Sequence, residues 1–169
     1  HMSNVLGSIV DVKTVCKSKL TKNIPVLIDG SQAAVHMKIN VCDIGCDFYT
    51  ITGHKLYGPS GSGAVYIARD RMEEMQPFMG GGSMIDEVKL DTVTFNVAPH
   101  KFEAGTPGIV EMIGLGAAID FIQDIGMHNI SEHEIELTNY AQVELDQLSW
   151  LSIQGSCQGK GAIFSFNME

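Results

Sequence analysis

Two short stretches gather the residue types that covalent chemistry needs. Asp29-Gly30-Ser31-Gln32 offers a carboxylate, a hydroxyl and a carboxamide, and Thr52-Gly53-His54-Lys55 offers a hydroxyl, an imidazole and a primary amine. Each follows an apolar run, Val26-Leu27-Ile28 before the first and Phe48-Tyr49-Thr50-Ile51 before the second. In open α/β sheets, ligands bind beyond the carboxyl ends of the strands. If the two runs are parallel neighbours, Asp29 and Lys55 therefore face one cleft. Taken singly, each residue has a structural reading. Asp-Gly after a strand is also a plain turn, a lone loop lysine is usually a solvated cation, and a histidine beside a glycine turn is more often structural than catalytic.

As a set they suit one cofactor. Pyridoxal phosphate has an aldehyde that a lysine can bond, a pyridine nitrogen that an acid can keep protonated, and a phosphate that hydroxyls and N–H donors can hold. On that reading Lys55 bonds the aldehyde, Asp29 meets the ring nitrogen and Gln32 the phenolic oxygen, while Thr52 and His54 reach the phosphate. Nucleotide readings fit less well. A G-x-G-x-x-G read from Gly61 would need glycine at position 66, where Tyr66 stands, and the strand follows the glycines instead of preceding them. A G-K-[S/T] phosphate loop is also absent from the sequence.

The elements that must position these residues can be read from periodicity. Val10 to Lys19 predicts a helix. Val26 to Ile28 predicts a short strand buried on both faces, as in a parallel sheet. Phe48 to Thr52 and Ala64 to Ile67 predict two more strands, separated by a glycine-punctuated loop from Lys55 to Gly63. Gly80-Gly81-Gly82 cannot lie inside a stable element, and Asp86 to Thr106, carrying Pro99, reads as irregular loop. Ile109 to Ile125 is apolar nearly all round and predicts a buried helix. Ser131 with Glu134 makes a capping-box pattern for a second helix reaching Leu148. Trp150 to Ile153 and Ala162 to Phe166 predict closing strands. The fold class is α/β with a mostly parallel sheet in the first part, and the change near Pro107 divides the chain into 1–107 and 108–169.

Composition narrows the function. The 169 residues carry 11 Lys+Arg against 20 Asp+Glu, a net charge of −9, which argues against nucleic-acid binding. No run is long and apolar enough for a membrane span. The early lysines Lys13, Lys17, Lys19 and Lys22, and the carboxylates from Glu132 to Asp146, read as solvated helix faces. Cys16, Cys42, Cys46 and Cys157 match no disulfide framework, and the Cys42/Cys46 spacing lacks the second pair that a zinc site needs. Mostly buried reduced thiols in a cytoplasmic protein are the expectation. His1-Met2 reads as the scar of a removed tag.

Longer strings now carry a resemblance. Val26-Leu27-Ile28-Asp29-Gly30-Ser31-Gln32-Ala33, Cys46-Asp47-Phe48-Tyr49 and Thr52-Gly53-His54-Lys55-Leu56-Tyr57-Gly58-Pro59 closely resemble the SUF-type cysteine desulfurases. These are class V aminotransferase-like enzymes of pyridoxal-phosphate fold type I. Gly80-Gly81-Gly82-Ser83-Met84-Ile85 and Phe102-Glu103-Ala104-Gly105-Thr106-Pro107 match the same family in order, and Ser3-Asn4-Val5-Leu6-Gly7 looks like an internal segment of it.

The resemblance implies part of an aspartate-aminotransferase-like large domain (1–107), followed by an interdomain helix and the beginning of an α+β small C-terminal domain (108–169). It implies that the parent enzyme takes sulfur from L-cysteine, releases L-alanine and leaves a persulfide on a cysteine, for delivery to a SUF acceptor protein in iron–sulfur cluster assembly. Lys55 matches the Schiff-base lysine, which also moves protons. Asp29 and Gln32 match the ring partners, and Thr52 and His54 the phosphate ligands. Gly105 and Thr106 match the segment reaching the neighbouring subunit's phosphate, which implies a homodimer. The family is longer than this chain. Its N-terminal part supplies a histidine stacked on the ring, and its C-terminal part supplies the arginine for the substrate carboxylate and the nucleophilic cysteine. None of the four cysteines here lies in that nucleophile's motif. A central piece without cysteine turnover of its own, and with exposed strand edges that favour oligomers, is therefore expected. The alternatives are another class V enzyme, such as a selenocysteine lyase, a small-amino-acid aminotransferase or a kynureninase-like lyase, and a non-catalytic truncated binding partner.

Overall fold

The computed structural model describes residues 1–18, 20, 23–155 and 159–169. Lys19, Lys22 and Cys157 lie outside the described residues. The first helix, α1 (Val12–Lys17), is shorter than its apolar pattern predicts, and Asp11 caps it by accepting from the Thr14 N–H at 3.0 Å. Strand β1 (Leu27–Asp29) follows, then the short helix α2 (Val41–Ile44) and strand β2 (Phe48–Thr52). β1 and β2 run parallel, pairing Leu27 with Phe48, Ile28 with Tyr49 and Asp29 with Thr50. The intervening residues 30–47 are enough for the crossover that parallel strands require. Strand β3 (Gly63–Ile67) instead returns antiparallel to β2, so this three-stranded sheet is mixed. The link through residues 53–62 is too short for a crossover of a dozen or more residues.

The core lies in two clusters. Val12, Ile28, Ile44, Cys46 and Tyr49 form one, and Val35, Leu56, Leu115 and Ile122 form the other, with Ile51 packing against both. Strand β1 is not buried on both faces: Ile28 is buried but Leu27 is exposed, because β1 is an outer strand here. One polar residue joins the sheet to its surroundings. Asp47 accepts from the Val26 N–H at 2.7 Å and from Arg71 Nε at 2.7 Å, tying β1 to helix α3 (Arg69–Glu74). Those bonds hold the Asp47 carboxyl below the usual carboxylate range, Arg71 contributing most.

Downstream, several expectations are corrected. Residues predicted as irregular loop form a hairpin of β4 (Ile85–Val88) and β5 (Val93–Phe95), closed by the Lys89 N–H donating to the Thr92 carbonyl at 2.8 Å. Its polar side chains mask the strand pattern, since both faces meet solvent. Helix α4 (Ile109–Ile125) buries one face only, through Leu115, Ala118 and Ile122, while Val110, Ile113 and Phe121 are exposed. Helix α5 (Met127–Asp146) starts immediately after Gly126, whose φ of +86° turns the chain with no intervening loop. Ser131 is therefore inside the helix and forms no capping box. The antiparallel pair β6 (Leu151–Gln154) and β7 (Ser165–Met168) closes the chain, the latter later than predicted. Among the described residues no helix is long and apolar enough to cross a membrane.

Met2 is buried and bridges Ile9, and the His1 carbonyl accepts from the Val10 N–H at 2.9 Å. The two first residues are thus part of the packed structure, contrary to the tag reading.

Candidate functional site

The parallel pairing of β1 and β2 puts their carboxyl ends on the same side. β1 ends at Asp29, and the chain enters a run of turns in which the Ala34 N–H donates to the Gly30 carbonyl at 2.9 Å. Gly30 itself is required by packing, because a Cβ there would stand 1.9 Å from Cε1 of the buried Tyr49 ring. β2 ends at Thr52, and Gly53–Lys55 forms a single helical turn. Helix α4 backs this turn and the loop after it: Gly114 lies against Pro59, and Leu115 against Gly58. The loop is closed at its neck by the Gly53 N–H donating to the Ser62 carbonyl at 2.8 Å.

These constraints bring Asp29, Ser31, Gln32 and Lys55 to one cleft of about 240 Å3, which His1, Met2 and Asn4 also line. The Asp29 carboxylate accepts from the Ser31 N–H at 2.9 Å. The backbone and side chain of Ser31 hold its carboxyl below the ordinary range, and the Lys55 ammonium adds a smaller push in the same direction. Asp29 is therefore an anion that can keep a heterocyclic nitrogen protonated. Lys55 is half-buried and its amine borders the same space. Thr52 Oγ1 and His54 Nδ1 lie 3.0 Å apart at the turn that carries Lys55, but neither lines the cleft, and His54 is exposed. Gly105 and Thr106 do not line the cleft. Gly105 donates its N–H to the Gly82 carbonyl at 2.9 Å and so packs on the triple-glycine loop.

Four residues to which the sequence assigns no site role meet at or behind the cleft: His1, Tyr49, His36 and Glu134. The His1 backbone nitrogen donates to the Asp29 carbonyl at 2.8 Å, and His1 Nδ1 lies 2.8 Å from the Tyr49 hydroxyl. Burial pushes that hydroxyl up to about 12, so it stays protonated. His36 and Glu134 stand behind Gln32, with Gln32 Nε2 2.9 Å from His36 Nε2 and His36 Nδ1 2.9 Å from the Glu134 carboxylate. No local pattern could have announced a contact across 98 positions. Of the cysteines, Cys46 is buried and Cys42 is exposed, so the expectation of mostly buried thiols fails at Cys42.

Comparison with known proteins gives the family. A family model described as aminotransferase class-V matches residues 1–169, which includes His1 and Met2. A probable cysteine desulfurase of Xylella fastidiosa (strain Temecula1) is 47% identical over 169 residues, covering all of this chain and 41% of the relative. A crystal structure of a cysteine desulfurase from Escherichia coli matches with a TM-score of 0.92 at 35% identity, covering 99% of this chain and 41% of that one. An apo cysteine desulfurase from Thermococcus onnurineus NA1 matches with a TM-score of 0.94 at 34% identity, covering 99% and 42%. The chain thus spans about two fifths of the length of the curated relatives it matches.

Proposed function

The chain belongs to the class-V aminotransferase family, and from that premise we propose that it is the central part of a pyridoxal-phosphate-dependent cysteine desulfurase. The observation that carries this reading is the convergence of Asp29, Gln32 and Lys55 on one cleft beyond two parallel strands. The donor set fits the cofactor: one anionic carboxylate, one primary amine, one carboxamide and a hydroxyl border the same space. When bound, the cofactor supplies an electron sink for the substrate's carbon skeleton.

The chain's own residues do the rest. Lys55 holds the cofactor covalently and moves a proton at the substrate Cα. Asp29 keeps the ring nitrogen protonated, and Gln32 meets the phenolic oxygen. Thr52 and His54 hold the phosphate. Gly105 and Thr106, which lie apart from this cleft, serve the phosphate of a second subunit in a homodimer. In the parent protein the C–S bond of L-cysteine breaks, sulfur passes to a cysteine thiolate as a persulfide, and L-alanine leaves. The persulfide then serves a SUF acceptor protein and iron–sulfur cluster assembly in the cytoplasm. Residues 1–107 contribute the large-domain part and 108–169 the interdomain helix and the start of the small domain. The 169 residues by themselves do not turn over cysteine.

Borohydride reduction of the full-length protein with pyridoxal phosphate, followed by peptide mass spectrometry, tests the reading. The expected result is a stoichiometric label on Lys55 and its loss in Lys55→Ala. A label on another lysine, or none, would overturn it. Alanine release by the full-length protein, with none from the 169 residues alone, is the expected activity pattern.

A further inference from the structure

Gln32 lines the cleft, yet half of its carboxamide is already committed behind it. Gln32 and His36 lie four residues apart in the turns that follow β1, and their side chains meet. Gln32 Nε2 is 2.9 Å from His36 Nε2, and His36 Nδ1 is 2.9 Å from each oxygen of Glu134 on α5. The His36 and Glu134 side chains are only 15% and 21% exposed. An ionised carboxylate only accepts hydrogen bonds. His36 Nδ1 therefore carries a proton, and in the neutral ring the lone pair sits on Nε2. With the ring in this neutral form, that lone pair accepts one N–H of Gln32. The amide orientation follows from the network: the second N–H and Oε1 are left for the cleft.

We propose that His36 and Glu134 are positioning residues, which orient the Gln32 carboxamide so that its second N–H faces the phenolic oxygen of the cofactor. The inference rests on the cofactor reading above and extends it to α5. A helix distant in sequence thereby sets the electronics of the ring from behind. A bare structural role would look different: Glu134 would fasten α5 to the body of the molecule and leave the cleft unaffected.

The test uses the full-length protein loaded with pyridoxal phosphate and reads the visible absorption band and the rate of cofactor loss. Gln32→Ala and His36→Ala should displace the band in the same direction and speed cofactor loss by about fivefold, the scale of one neutral hydrogen bond. The double variant should match Gln32→Ala alone, because His36 acts only through Gln32. Glu134→Gln keeps an acceptor for Nδ1–H and should retain the unaltered band, whereas Glu134→Ala should not. His36→Gln can donate to Glu134 and accept from Gln32, so it should also retain the band, which separates relay loss from misfolding. A band unchanged in Glu134→Ala and His36→Ala, whatever their stability, would overturn the inference while the cofactor reading stands. Failure of the unaltered protein to take up the cofactor would overturn the reading itself, and the inference with it.

Discussion

The sheet that carries Asp29 and leads into Lys55 and the hairpin of β4 and β5 are both built on antiparallel pairing, yet they solve opposite problems. The sheet finds its partners close by. Tyr49 is 3% exposed, and Asp47 takes bonds from Val26 and Arg71. The hairpin finds few. Leu90 at its tip is fully exposed, Val88 and Val93 face solvent, and its Lys89–Glu87 ion pair at 3.0 Å lies in water. Exposed pairs of that kind contribute about 0–1 kcal/mol. A site that must hold several groups in register sits on the region that is rigid by its own packing, while the hairpin presents surface.

Substitutions should sharpen that contrast in a graded way. Tyr49→Ala removes a buried aromatic ring from the sheet cluster and should destabilise the full-length protein by about 3–5 kcal/mol, as large cavities do, read from the midpoint of denaturant unfolding. Asp47→Asn weakens two bonds at once and should cost about 1–3 kcal/mol at neutral pH. The pH dependence has a definite sign. The folded carboxyl titrates below its ordinary value of 3.8, so the contribution is present above that value and is lost as the pH falls through the lowered one. Unfolding curves for the two proteins should converge in acid, and a gap that widens there would contradict the ion-pair account. Alkylation gives a subtler contrast. Burial raises the Cys46 thiol above 9.0, so Cys42, exposed on α2, should be modified well before Cys46 in the native protein. Least affected should be Leu90→Ser, within about 0.5 kcal/mol, and a larger loss would mean that the hairpin tip is covered in the full-length protein.

Legibility in the sequence followed the same divide. β1, β2 and β3 were readable because short apolar runs ended at glycine and polar signals, and the cleft residues stand where those runs stop. The direction of β3 was not readable from its composition, only from the length of the link before it. The hairpin was hidden by Asp86, Glu87, Lys89 and Asp91, which erase the apolar alternation that a half-buried strand shows. The capping pattern at Ser131 failed for a different reason. Helix α5 begins at Gly126, and Glu134 turns to His36 instead of to a backbone N–H. A local motif lost to a tertiary partner, and no window of adjacent residues holds that information. Apolar content all round α4 predicts full burial, but only the stripe through Leu115, Ala118 and Ile122 is covered. His1 looked like residue of cloning because two letters carry no periodicity, whereas its ring stacks edge-on against Tyr49 at 6.0 Å between centroids.

The antiparallel return of β3 has one more effect. Thr52 pairs with Gly63, so the loop bearing Lys55 begins and ends on a single rung of the ladder. The amine's position is thereby encoded as a strand register, a quantity that can change only in whole residues. A one-residue slip would turn every side chain of β3 to the other face and bring a Cβ to the rung where Gly63 leaves only 2.7 Å to the Ile51 carbonyl oxygen. Small thermal distortions of the sheet therefore cannot accumulate into a gradual drift of the lysine: its mounting behaves as a detent, held in one notch or not held at all.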